Sequence, residues 1–308
     1  MVKIDIVSGF LGAGKTTFVC RLLKHYLARG EKPAYIANEF GQTGLDAEIV
    51  GAEGLPAVEM SGGCVCCTLK DDAAAAVAGA IRKYNPSRIV FEPSGIFIFE
   101  NFLEALQSPA LKGLYDVGPV VTVVDGLNFT AAKTAFGSFV YNQIKNSPAL
   151  VVSKVDRLRQ AGRDADEIVH TLRGINPDAV IAAVPPADLD GVVLDALLSP
   201  VPKGAAGHAH FHGALKSFAV TIDRNLTAGQ AAVLAELCAG GGGSFGDVCR
   251  VKGVLTVEGK PTLFNAAFND AQMTLAPMLK AGALTFIGAN VDEGKVRAFF
   301  AVENGELN

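Results

Sequence analysis

Apolar residues in this chain fall into short blocks that alternate with stretches of helical spacing. The blocks at 3–8, 33–38, 88–92, 119–124, 149–153 and 179–183 have the length and composition of buried strands. Between them, 15–29, 70–84, 100–113 and 162–174 repeat apolar residues every three or four positions and predict helices. Such alternation up to about Val184 predicts an α/β fold: a mostly parallel sheet covered by helices on both faces, with ligands at the carboxyl ends of its strands. Residues 185–212 then change character, with Pro185-Pro186, Pro200, Pro202 and a Gly/Ala/His-rich tract, although 188–199 reads as one further helix. Beyond them, strand 214–222, helix 227–239, strands 247–257, 261–268 and 283–288, and helix 291–299 predict a smaller α+β domain layered on two helices. The expected division is 1–186, a linker over 187–212, and 213–308.

Composition narrows the classes. Half of the 308 residues are hydrophobic and 19% are charged, which suits a compact protein with cores in both parts and excludes a disordered one. A net charge of −4 supplies no basic footprint, so neither nucleic acid nor an anionic membrane surface is an expected partner. No apolar run approaches the roughly 20 residues of a membrane span. The first strand begins almost at Met1 and leaves no room for a cleavable signal, so a cytoplasmic location is expected. In that compartment six cysteines do not form a disulfide framework, and three of them crowd into positions 64–67.

The first specific signal is Gly9-Phe10-Leu11-Gly12-Ala13-Gly14-Lys15-Thr16, a full match to the phosphate-binding loop G-x-x-x-x-G-K-[ST] between a predicted strand and helix. Its glycines let the backbone approach a phosphate chain, and the following helix offers free N–H groups with the positive end of its dipole. Gly12, Ala13, Gly14, Lys15, Thr16 and Thr17 are therefore the expected nucleotide contacts. Lys15 neutralises the β- and γ-phosphates and the Thr16 hydroxyl is a Mg²⁺ ligand. This makes the first part of the chain a P-loop NTPase domain.

Two further strands end in matching chemistry. Val90-Phe91-Glu92-Pro93-Ser94-Gly95 closes on an acid followed by E-x-x-G, so Glu92 is expected to hold Mg²⁺ and Gly95 to offer its N–H to a γ-phosphate. Leu150-Val151-Val152-Ser153-Lys154-Val155-Asp156 ends in S-K-x-D. The segment is similar to [NT]-K-x-D of GTPases, in which the Asp accepts hydrogen bonds from guanine N1 and N2, groups adenine cannot provide, while the Lys packs over the base. Asp156, Lys154 and Ser153 are the expected base-recognition residues, with Ser153 in place of the commoner Asn or Thr.

Cys64-Val65-Cys66-Cys67 can present two thiolates together. Extended backbone aligns Cys64 with Cys66, and a helical turn aligns Cys64 with Cys67. Thiolates select Zn²⁺ or other transition ions. A redox dithiol is the competing use, disfavoured because a bridge between adjacent Cys66 and Cys67 is strained. His208-x-His210-x-His212 also alternates on one face of an extended chain and is a second candidate metal site, beside the plain reading of a solvated linker. Cys20, Cys238 and Cys249 sit in apolar periodic contexts and read as core, and His25 and His170 as helix-surface residues.

Taken together, Ser8–Thr17, Asn38-Glu39-Phe40-Gly41, Gly63–Leu69 with its C-x-C-C, Glu92–Gly95 and Ile175-Asn176-Pro177-Asp178-Ala179 resemble the CobW family of P-loop GTPases over roughly residues 1–185. These are the metallochaperone relatives of the nickel-insertion GTPases of hydrogenase and urease. The resemblance implies GTP hydrolysis with Mg²⁺, carriage of Zn²⁺ or Co²⁺, a client metalloprotein as partner, and a homodimer as a candidate assembly. It also implies that 38–46 is similar to switch I, with Glu39 a further metal ligand and Asp46 placing Mg²⁺ or the attacking water. Cys64, Cys66 and Cys67 all carry over as metal ligands without a choice of pair.

Two departures stand out. Ile96-Phe97-Ile98-Phe99 follows E-P-S-G where the family often has polar residues, and reads as core in preference to a client surface. The C-terminal part lacks the family's R-P-F-H-P signature and retains only Arg250-Val251-Lys252-Gly253, so no client identity carries over. Two rival functions remain at this level: an accessory GTPase that activates a metalloenzyme without carrying metal, and a metal-buffering or sensing protein regulated by nucleotide.

Overall fold

The structure, a computed structural model, describes all residues except 39–44, 53, 61–68, 97–98, 186–187, 201–215, 240–243, 269, 289 and 302–308. Its Cα packing forms two compact units, residues 1–40 with 53–211, and residues 41–52 with 212–308.

In chain order the first elements are β1 (Val2–Gly9), α1 (Lys15–Ala28), β2 (Pro33–Ala37), α2 (Leu45–Ala52), β3 (Ala57–Glu59), α3 (Leu69–Tyr84), β4 (Arg88–Glu92) and α4 (Phe99–Leu106). They continue with β5 (Tyr115–Asp125), α5 (Phe129–Lys145), β6 (Ala149–Ser153), α6 (Val155–Gln160), α7 (Asp166–Ile175), β7 (Val180–Ala182) and α8 (Gly191–Leu198). All but α2 belong to the first unit. Its seven strands pair in the order β3-β2-β4-β1-β5-β6-β7, every pair parallel. Because β1 lies between β4 and β5, the loop that leaves its carboxyl end enters a crevice bounded by the ends of both neighbours. Ile4, Ile6, Ile36, Ile89 and Phe91 are fully buried and form the centre of this core.

Four elements of this region escape the apolar pattern, α6 among them because six residues are too few to show a helical repeat. Strand β3 is only three residues long and α2 is a short helix whose apolar residues lack a clear stripe. Helix α5 carries buried Asn142 and Gln143 and is kinked at Phe136, so its periodicity is blurred. The predicted helix 100–113 is broken: α4 ends at Leu106 and a short 3₁₀ turn follows over Pro109–Leu111. The Ile175–Ala179 motif has a structural task. Asn176 Nδ2 donates to the Ile144 and Ser147 carbonyls, both at 2.9 Å, and so satisfies groups at the C-terminal end of α5.

The amino ends of β1 and β4 are joined by a buried ion cluster. Asp5, 1% exposed, accepts two hydrogen bonds from Arg88 Nη1 at 2.7 and 2.9 Å and one from the Tyr26 hydroxyl at 2.5 Å. Arg88 also reaches Glu31 through Nε at 2.8 Å and stacks over the Tyr26 ring at 4.2 Å. A side chain at Gly118 would put its Cβ 2.1 Å from Asp5 Oδ1, so β5 can pass the carboxylate only with glycine there. Burial pushes the Asp5 carboxyl up to about 6, against the lowering effect of Arg88.

The second unit holds α2 and the elements β8 (Lys216–Thr221), β9 (Asn225–Leu226), α9 (Ala228–Ala239), β10 (Val248–Val257), β11 (Lys260–Ala267), β12 (Asp270–Leu275), β13 (Ala283–Gly288) and α10 (Glu293–Ala301). Five strands form an antiparallel sheet in the order β12-β11-β10-β13-β8, and β9 pairs in parallel with β10. Val251, Leu255, Phe264, Leu284 and Phe286 from this sheet share one apolar cluster with Leu234, Val296 and Phe299 of the two helices. Strands β9 and β12 are additions to the sequence-based expectation. Strand β12 is mostly exposed at the sheet edge and lacks an apolar face, so it leaves no periodic signal.

Candidate nucleotide site

The phosphate loop owes its path to three glycines. Gly9 leaves β1 at φ 145°, and a Cβ there would come 2.3 Å from the Val123 carbonyl oxygen. Gly12 and Gly14 follow with φ 73° and 92°, left-handed values that other residues resist. Gly14 precedes α1, whose amino end has no side-chain cap and no acid in its first turn. The positive end of its dipole is therefore not offset by a capping acid, which suits an anion.

At the other side of the crevice β4 delivers Glu92, 4% exposed. Its Oε1 lies 3.9 Å from Lys15 Nζ and 3.5 Å from Thr16 Oγ1, and its Oε2 accepts a hydrogen bond from the Tyr35 hydroxyl at 2.7 Å. Lys15 Nζ also makes a long hydrogen bond, 3.4 Å, to the Phe10 carbonyl of its own loop. The E-x-x-G turn presses against the same loop, since a Cβ at Gly95 would stand 2.7 Å from Leu11 N. Gln143 of α5 holds that turn from behind by donating to the Gly95 carbonyl at 3.1 Å. Ile96 and Phe99 are buried, in line with the core reading of the apolar segment after Gly95, while 97–98 lie outside the described residues.

The S-K-x-D segment is tied to the phosphate loop directly. Ser153 Oγ lies 2.6 Å from the Ala13 carbonyl oxygen and 3.1 Å from that of Val124, so its single proton is shared between loop and strand. Lys154 sits in the left-handed region at φ 56° as the residue before α6, and its Nζ donates to Asp125 Oδ2 at 2.8 Å. Asp125 is in turn fixed by the N–H groups of Leu127 and Asn128, both at 3.0 Å. Asp156 stands exposed in the first turn of α6, open to a base.

Lys15, Thr16, Glu92, Gly95 and Ser153 thus gather around one loop, with Lys154 and Asp156 on the segment that Ser153 fixes to it. Asp46 belongs to the second unit. Its carboxylate, on α2, forms a buried ion pair with Lys252 Nζ of β10 inside the second unit. Glu39, Cys64, Cys66, Cys67, His208, His210 and His212 lie outside the described residues. Among the described residues no group of three His, Cys, Asp or Glu side chains could hold a metal ion. Cys238 and Cys249 are buried, and burial pushes the Cys238 thiol up to about 12. Cys20 is only half-buried, because its position on α1 turns partly away from the sheet. His25 is not a free surface group, since its Nε2 lies 3.0 Å from Asp195 Oδ1 of α8.

Tyr35, Asp125 and Gln143 were not singled out from the sequence. Asp125 carried a usable signal, a polar residue at the carboxyl end of a parallel strand. Tyr35 and Gln143 carried none, being single polar groups within an apolar strand and an unrecognised helix.

Residues 3–183 match the family model described as the CobW/HypB/UreG nucleotide-binding domain. Among similar proteins, the zinc chaperone YeiR of Escherichia coli is 28% identical over 222 residues, which cover 71% of this chain and 66% of that one. The zinc chaperone CobW of a Sinorhizobium species is 27% identical over 84% of this chain and 83% of its own length. The zinc-regulated GTPase metalloprotein activator 1 of Schizosaccharomyces pombe is 32% identical over 50% of this chain and 39% of that protein. With its phosphate loop, its E-x-x-G turn and its S-K-x-D segment built around one crevice, the chain belongs to the CobW/HypB/UreG family of nucleotide-binding GTPases.

Proposed function

We propose that this protein is a GTP-hydrolysing metallochaperone that binds zinc, or cobalt, and delivers it to a client metalloprotein. The observation that carries the reading is the convergence of Lys15, Thr16 and Glu92 on a loop that Ser153 ties to the base-recognition segment. These contacts support phosphate binding and base choice by one connected set of residues. The zinc chaperones and the GTPase metalloprotein activator among its relatives support the metal and the client.

In this reading Ala13 to Thr17 hold the phosphate chain with backbone N–H groups, and the Lys15 ammonium balances β- and γ-phosphate charge. Thr16 Oγ1 and Glu92 Oε1 are hard oxygen donors 3.5 Å apart and suit Mg²⁺, which when bound would neutralise charge on the phosphates. Gly95 offers its N–H to the γ-phosphate. Asp156 would accept from guanine, and Asp125 holds the Lys154 that would pack over the base. Asp46, whose carboxylate pairs with Lys252, is the candidate for placing Mg²⁺ or the attacking water. Cys64, Cys66 and Cys67, with Glu39, supply the ligands for the cargo ion, and His208, His210 and His212 a secondary site. The chain acts in the cytoplasm, alone or as a homodimer.

The test is whether nucleotide gates the metal. Zn²⁺ titrations with GDP, a non-hydrolysable GTP analogue and no nucleotide should differ, with the analogue tightening metal binding by about 1–3 kcal/mol. By linkage the metal must tighten analogue binding by the same factor. Three identical metal affinities would favour the buffering protein. Nucleotide-gated client activation that survives replacement of all three cysteines would favour the accessory GTPase.

A further inference from the structure

We propose that Tyr35 is a positioning residue that aims the Glu92 carboxylate at the phosphate loop. This rests on the reading of Glu92 as a Mg²⁺ ligand. Tyr35 lies on β2, fully buried, and β2 pairs in parallel with β4 so that Tyr35 stands opposite Val90 and Ala37 opposite Glu92. Strand geometry therefore puts Tyr35 and Glu92 on the same face, two positions apart, within reach of a long side chain.

The two oxygens of Glu92 have separate partners. Oε2 accepts from the Tyr35 hydroxyl at 2.7 Å, while Oε1 is left toward Thr16 Oγ1 at 3.5 Å and Lys15 Nζ at 3.9 Å. The last torsion of a glutamate is broad and two-fold, so an unrestrained carboxylate would sample many orientations. A hydrogen bond to one oxygen removes that freedom and leaves the other oxygen pointed at the donor with which it would share a cation. A neutral hydroxyl suits the task. It satisfies the buried carboxylate without bringing a second positive charge that would compete with a metal ion. The phenol also brings its own apolar ring, which the strand buries at no polar cost.

The test uses the full-length protein and a fluorescent non-hydrolysable GTP analogue, titrated with Mg²⁺ and also measured in EDTA. Tyr35→Phe keeps the ring and removes only the hydroxyl. It should raise the Mg²⁺ concentration for half-maximal tight binding about three- to tenfold and leave the EDTA affinity unchanged. Glu92→Gln should raise it more, and adding Tyr35→Phe to Glu92→Gln should produce no further change, because the hydroxyl acts through the carboxylate. If Glu92→Gln shifts the Mg²⁺ titration and Tyr35→Phe does not, the positioning role is wrong and the Glu92 reading stands. Equal weakening by Tyr35→Phe in Mg²⁺ and in EDTA, or full additivity in the double variant, likewise overturns it. If Glu92→Gln leaves the Mg²⁺ titration unmoved, the underlying reading fails and the proposal with it.

Discussion

Lys252 of β10 and Asp46 of α2 meet as an ion pair between side chains only 6% and 4% exposed, although 206 residues separate them in sequence. Removing one member leaves the other charged and buried. Lys252→Met should therefore destabilise the fold by about 3–5 kcal/mol, whereas adding Asp46→Leu to it should recover most of the loss. Urea unfolding of the two single variants and the double gives the coupling directly. Additive losses would show that the two side chains do not depend on each other.

Lys15→Ala should abolish tight nucleotide binding, since the ammonium beside Glu92 is the main positive charge available to the β- and γ-phosphates. Near wild-type GTP affinity in an equilibrium binding assay would remove the phosphate-loop assignment.

Base choice should rest on Asp156 and on the Ser153 tether. A carboxylate built for guanine is left unpaired by adenine, so competition binding should favour GTP over ATP by at least about tenfold, or roughly 1.4 kcal/mol. Asp156→Ala should erase that preference, and Ser153→Ala, which frees the segment from the Ala13 carbonyl, should weaken GTP binding. Equal competition by ATP in the parent protein would contradict the assignment.

The Asp5 cluster predicts a pH dependence of stability with a definite sign. Its folded carboxyl, at about 6, lies above the ordinary value of 3.8, so the native state holds this proton more tightly than the unfolded chain. The stabilisation is complete below about pH 4 and is lost as pH rises through about 6, an effect on the order of 3 kcal/mol. Other carboxylates titrate in the same range, and the measurement is the difference in unfolding free energy between the parent and Asp5→Asn from pH 4 to 7.5. A flat difference would show that Arg88 and Tyr26 keep Asp5 at an ordinary value.

Much of the candidate nucleotide site was legible because phosphate chemistry demands fixed residues at fixed spacing. Gly12, Gly14, Lys15 and Thr16 could be read without a fold, and Glu92 and Ser153 followed from their places at strand ends. The residues behind them were not legible. Tyr35 looks like any aromatic in an apolar strand, and Gln143 lies in a helix whose buried polar positions hide its periodicity. The role of Tyr35 depends on strand order, which brings β2 beside β4, and that of Gln143 on the packing of α5 behind Gly95; no local pattern records either. The same holds for Asp46. Its place in the chain suggested a role near the phosphates, and only tertiary packing reveals the lysine that holds it.

The Asp5 cluster also bears on how the protein can be altered at a distance. It clamps β1, β4 and α1, and these three elements carry the phosphate loop, Glu92 and Lys15 at their opposite ends. Asp5 and Gly9 are four positions apart along β1, about 13 Å of stiff backbone. A change at Tyr26, Arg88 or Gly118 would therefore act as a lever. By tilting one strand against its neighbour it would shift the spacing between loop and acid without touching either. A selection for altered turnover should recover substitutions at this far end of the sheet, in residues that never meet the nucleotide.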